Sequence, residues 1–144
     1  MAQTPGQWRL QGSAFKAKGD AVAAIAAFEK AAQLEPAAAD LRDELGFLEA
    51  SLGRRSEGIA YFRQAIGLNP NLAAAHYHLA IALWLEKDPN QAIPSLQTAV
   101  KLAPANAGYH AHLASMLYEV THDEEALAEA LAANKISPSA EVFN

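Results

Sequence analysis

The sequence predicts an all-α chain of stacked helix–turn–helix units, about eight helices in four repeats. Three observations predict it. Prolines fall at 36, 70, 104 and 138, an interval of 34 residues each time, and close the runs "QLEP", "GLNP", "KLAP" and "KISP". Upstream of each proline, apolar residues recur at spacings of three and four, the period of one helical face. Earlier in each unit a small residue holds one fixed place: Gly12, Gly46, Ala80 and Ala114. A strict period of this size marks a repeat in which each unit buries its apolar face against its neighbours.

The elements follow in order within each unit. The first helix carries the small residue just after Gln11, Leu45, Leu79 or Leu113, and small residues let two helices approach closely. A turn follows, written "KGDA", "GRRSEG", "KDPNQ" and "THDEE"; Asp20 and Asp88 read as N-caps and Pro89 as a first helical position. The second helix shows Ala24, Gly58, Ala92 and Ala126, then Phe28, Phe62, Leu96 and Ala130, then Ala31, Ala65, Ala99 and Ala133. Leu34, Leu68, Leu102 and Ile136 complete that apolar face two residues before each proline.

Composition excludes several functions. Hydrophobic residues make up 51% of the 144 residues and charged ones 19%, which predicts a folded chain and not a disordered one. A net charge of -5, with the 11 Lys and Arg scattered, offers no basic stripe for phosphates, so no nucleic-acid partner is expected. The absence of cysteine removes disulfides, thiolate zinc sites and Cys nucleophiles, and says nothing about redox compartment. Apolar runs are short and Ala-rich, and the polar sides of the helices are mixed in sign, so no membrane partner is expected. "MAQTPGQWRL" lacks the pattern of a signal peptide; the cytoplasm is the expected compartment, with periplasm or secretion left open by a signal already removed. There is no G-x-S-x-G, H-E-x-x-H or phosphate-binding glycine loop, so neither catalysis nor a cofactor is expected.

The units resemble tetratricopeptide repeats, whose pattern runs W-x2-L-G-x2-Y, then A-x3-F, then P. The first unit has Trp8, Gly12, Phe15, Ala24, Phe28 and Pro36, with Gln11 in place of the Leu. The resemblance covers residues 5 to 140 as units 5–38, 39–72, 73–106 and 107–140 of one domain, 1–144; residues 141–144, with Val142 and Phe143, are a tail or the start of a further helix. Arg42, His76 and His110 replace the Trp, Glu49, Leu83 and Leu117 the Tyr, and Ala130 the second aromatic. The resemblance implies a right-handed α-solenoid and a protein–protein interaction module that binds an extended peptide or helix in its concave groove.

Two H-x-H motifs raise the question of a metal. Residues two apart on a helix point about 200° apart, so His76 and His78 cannot chelate one ion. His76 and His110, at the family's Trp position, are expected within their own units. By the resemblance, His78 and His112 face the concave surface; no Cys or carboxylate pair joins them, and no metal site is expected.

Residues 74–86 carry two apolar faces. His76, Leu79, Ala80 and Leu83 form the one that meets the partner helix. Tyr77, Ile81 and Trp84, with Leu85 beside them, form a second, which the resemblance places in the groove. Equivalent positions are Arg9, Ser13 and Lys16 in the first unit, Asp40, Asp43, Glu44 and Phe47 in the second, and His112, Ser115, Tyr118 and Glu119 in the fourth. The expected groove, with Tyr77, His78, Ile81 and Trp84 at its centre, is therefore acidic near the second unit and aromatic beyond it, suited to a ligand with apolar anchors and a basic group. The alternative is that Tyr77 and Trp84 pack against neighbouring helices. The carboxylate clamp of the repeat proteins that hold chaperone C-termini is missing, since its places hold Arg9, Ser13, Glu44, Ala74 and His78 in one register and Asp43, Phe47, His78, Gly108 and His112 in the next. Two other functions compete: self-association through uncovered Leu127, Leu131 and Ile136 of the last helix, giving weak homo-oligomers, and a targeting role within a larger protein.

Overall fold

The computed structural model describes residues 1–138. Eight helices occupy them: α1 (Pro5–Ala17), α2 (Ala21–Leu34), α3 (Ala39–Ser51), α4 (Arg55–Leu68), α5 (Ala73–Leu85), α6 (Pro89–Leu102), α7 (Ala107–Glu119) and α8 (Asp123–Ile136). No strand occurs among the described residues, and no helix there is long and apolar enough to cross a membrane. Val142 and Phe143 lie outside them.

Local chemistry sets the helix ends. Thr4 and Gln7 form a reciprocal capping box at the start of α1. Asp20 and Asp88 accept from the Ala23 and Gln91 backbone N–H groups, and Pro89 opens α6. Within each pair, the turn between helices passes through one left-handed residue: Gly19, Gly53, Lys87 or Thr121, with φ of 78°, 80°, 63° and 66°. Glycine adopts this freely, whereas β-branched Thr121 does so at a cost of about 1–2 kcal/mol.

Each odd-numbered helix packs on the even one that follows, and each even helix on the next odd one. α3 also meets α5 directly, which puts the odd-numbered helices on the inner side of the stack. Glycine makes the first two pairs close: a Cβ on Gly12 would stand 2.7 Å from the Phe28 ring, and one on Gly46 2.6 Å from the Phe62 ring. At the equivalent places the third pair has Ala80 and Leu96, and the fourth Ala114 and Ala130. In the third pair the large residue shrinks and its small neighbour gains a methyl, a compensating step; in the fourth, Ala130 shrinks further with no gain at Ala114.

Two buried clusters form the core. Ile25, Phe28, Leu41, Leu45 and Leu48 anchor the first, in α2 and α3; Phe62, Leu79, Leu83, Leu96, Leu113, Met116 and Leu117 anchor the second, from α4 to α7. One expectation needs correction: Leu34, Leu68 and Leu102 are exposed; Ile136 is exposed too, in line with its expected place on an uncovered last helix. Each is the last helical residue before the proline turn, at the edge of the stack.

The two histidines at the Trp position act alike. His76 Nε2 donates to the Pro70 carbonyl and His110 Nε2 to that of Pro104, both at 2.8 Å, tying each helix start to the turn before it. His110 is buried and its Nδ1 also bonds to Glu129 on α8. Both ring nitrogens thus face acceptors, which suits the doubly protonated cation. Burial works to lower the His110 pKa, but the bonds to Glu129 and the Pro104 carbonyl, with the attraction of the Glu129 charge, outweigh it and raise the value. A raised folded-state pKa gives stability that is complete below the unfolded value, about 6.5, and lost as pH rises through the folded one. Thermal melts from pH 6 to 9 are therefore expected to show declining stability, and His110→Gln to flatten the decline; a wild-type profile that rises with pH would contradict this.

Candidate functional site

The inner surface carries a groove between α3 and α5. Its cavity, about 260 Å³, is lined by Phe47, Ala50, Ser51, Arg55, Phe62, Tyr77, His78, Ile81, Ala82 and Leu85. Phe47 and Leu85 stand on its rim, 43% and 53% exposed. Phe62 is buried. These residues converge because positions 78, 82 and 85 share the side of α5 that faces α3, while α4 supplies Arg55 and Phe62 from beneath.

His78 is the polar feature. Its Nδ1 donates to Asp43 Oδ1 at 2.8 Å, and its ring lies 5.6 Å from that of Phe47 and 5.5 Å from those of Phe62 and Tyr77. Asp43 therefore fixes the ring, and Nε2 bonds to no other described residue, so it remains available to a hydrogen-bonding group in the cavity. At the far end Arg55 is held by Glu86 at 2.8 Å.

Of the residues expected in the groove, Phe47, Tyr77, His78, Ile81 and Leu85 line this cavity, and the rest lie elsewhere. Tyr77, Ile81 and Trp84 are half-buried and pack on the second core cluster. Tyr77 stacks on Tyr109 with ring centres 4.7 Å apart, and its hydroxyl lies 3.4 Å from His112 Nδ1, which also bonds to the Gly108 carbonyl. Trp84 borders a separate recess with Lys87, Pro89 and Glu119. The second apolar face of α5 is thus split: its Tyr77 and Trp84 edge is partly covered from the α7 side, and its Leu85 edge is open. Tyr118 lies 70% exposed in a different hollow, at the outer end beside Leu127. Ser13 is exposed on α1.

The acidic character expected near α3 is corrected by its pairing. Arg9 bonds to Asp40 and Glu35, both at 2.6 Å. The bonds between Arg9 and Asp40 outweigh the burial of each, raising the Arg9 pKa and lowering that of Asp40. Lys16 pairs with Glu44 at 2.8 Å and lies 5.1 Å from the centre of the Phe47 ring. Asp43 holds His78. None of the three carboxylates is left open, because each meets a base from an adjacent unit. His78 turns to α3 and His112 to Tyr77, so the two histidines serve different neighbours. Among the described residues no group of three or more His, Asp or Glu is placed to hold a metal ion.

Sequence reasoning missed Arg55, Phe62 and Ser51 as lining residues. Leu85 carried a signal, standing four residues after Ile81 and seven after His78, on the exposed side of one helix.

No curated protein matches the chain. Among solved structures, one of MamA protein aligns with 96% of this chain and 75% of its own at 23% identity, TM-score 0.84. A MamA structure from Desulfovibrio magneticus RS-1 covers 95% and 77% at 22% identity, TM-score 0.82. A mutant O-GlcNAc transferase of Thermobaculum terrenum covers 94% of this chain and 27% of that one at 24% identity, TM-score 0.82. The shared architecture is a right-handed α-solenoid. Two models described as tetratricopeptide repeat match residues 9–37 and 49–116. With the eight-helix stack and its 34-residue register, these matches establish that the chain belongs to the tetratricopeptide repeat family.

Proposed function

We propose that the protein is an interaction module that takes an apolar side chain of a partner's extended or helical segment into the cavity between α3 and α5. The observation that carries this reading is the open apolar wall of Phe47, Ile81 and Leu85 over buried Phe62, with one oriented imidazole set into it. Concave sites of this kind use apolar walls for affinity and a few polar groups for orientation. His78 Nε2 suits a backbone N–H or a hydroxyl of the ligand. A basic group on the ligand is not part of the proposal, since Asp40, Asp43 and Glu44 already have bases. Membership in a family of repeat scaffolds supports protein binding in general.

Selection of displayed peptides on the wild-type protein tests the reading. Enriched peptides are expected to share one large apolar residue, and to lose about tenfold or more in affinity, roughly 1.4 kcal/mol, against Leu85→Lys or Phe47→Ser. Both positions are exposed, so the melting temperature should change little. Binding that ignores both variants would remove the cavity from consideration.

A further inference from the structure

The outer end of the stack carries a second surface, independent of the groove. Ile25, Ile59 and Ile93 stand 34 residues apart on α2, α4 and α6, and all three pack into the core clusters. Leu127 is their counterpart on α8 and is 62% exposed; Leu131, one turn on, is 61% exposed. Exposed Asp123 and Lys135 continue this row at steps of four, so Asp123, Leu127, Leu131 and Lys135 make one ridge along the helix. Neither Asp123 nor Lys135 has an ion-pair partner among the described residues, a condition Lys135 shares with Lys18, Lys30, Arg42, Arg63, Lys87 and Lys101.

The order of the ridge indicates what covers it. Acid, leucine, leucine, base is complementary to its own reverse. Laid antiparallel on a copy of itself, it sets Leu127 against Leu131 at the centre and an acid beside a base at both ends. Continuation of the stack by α1 of a second copy fits less well. The faces that α3 buries next to α2 include Leu41 and Leu45, and 34 residues earlier α1 has Gln7 and Gln11, with Gln7 already engaged in the capping box. We propose that α8 pairs antiparallel with α8 of a second copy of this chain through Asp123, Leu127, Leu131 and Lys135, about a twofold axis. Such an interface is isologous and closes at the dimer. Ala130 lies beside the axis and leaves room for close approach, and Tyr118 borders the same hollow.

Sedimentation of the 144-residue chain at low salt tests this. Wild type is expected to pass from monomer to dimer with concentration, and Leu131→Glu to raise the dimer Kd by about tenfold or more. Asp123→Lys alone, or Lys135→Asp alone, places like charges at both ends and should also favour monomer. An equimolar mixture of these two single variants should recover the dimer, because each mixed pair again has opposite charges at both ends. The recovery should fade at high salt. All three positions are exposed, so helical circular dichroism is expected to be unchanged in every variant. A wild type monomeric at all concentrations, a dimer indifferent to Leu131→Glu, or a mixture that fails to recover would each overturn the antiparallel pairing.

Discussion

Replacing Phe62 by Ala is expected to destabilise the protein by about 3–5 kcal/mol, the range for truncating a buried aromatic. The ring is 2% exposed and belongs to the second core cluster. It also lies so close to Gly46 that a Cβ there would come within 2.6 Å of it, so the ring fills the contact between α3 and α4 beside the close approach of Gly58 to Gly46 and Ala50. Gly46 has no side chain to move into the space, so truncation leaves a cavity on that side of the ring. Phe62 also forms the base of the groove cavity and contacts the His78 ring. Phe62→Leu is expected to cost much less, since Leu96 is accommodated at the equivalent place in the third unit. Chemical denaturation checks both, and a loss below about 1 kcal/mol for Phe62→Ala would show that the ring does not join the two helices.

The fold is legible in the sequence because each unit repeats one packing problem. Gly12 and Phe28, Gly46 and Phe62, Ala80 and Leu96, and Ala114 and Ala130 are four solutions to it at constant spacing, and the spacing remains visible when the residues change. The left-handed turn residue follows the same 34-residue rule, although Lys87 and Thr121 conceal it where Gly19 and Gly53 display it. The groove is less legible. The family resemblance, carried onto the repeating positions, points to the inward side of each odd helix and so to Phe47, Tyr77, His78 and Ile81. It cannot find Phe62 and Arg55, which reach the cavity from α4 through the gap between α3 and α5. Nor can it tell a half-covered aromatic from an open one: Tyr77 and Trp84 lie toward α7 while Leu85 lies open, a difference decided by the neighbouring helix.

Charge is where periodicity says least. Asp43 and Glu44 are adjacent acids and look equivalent, yet the structure separates them. Asp43 is 8% exposed and holds His78, whereas Glu44 pairs with Lys16 at a point where both side chains are 40% exposed. Asp43→Lys leaves His78 without its acceptor and sets an ammonium in a buried place, so a loss of about 3 kcal/mol is expected. Glu44→Lys removes a surface pair worth at most about 1 kcal/mol and sets a second ammonium beside Lys16, where both side chains are solvated and the repulsion is screened. The two variants should therefore differ by about 2 kcal/mol in urea denaturation, with His78 losing its fixed orientation only in the first. Nuclear magnetic resonance of the His78 ring reads that orientation directly. Equal stability losses, or a His78 signal unchanged by Asp43→Lys, would mean that Asp43 is a surface charge after all and that the imidazole in the cavity is held by something else.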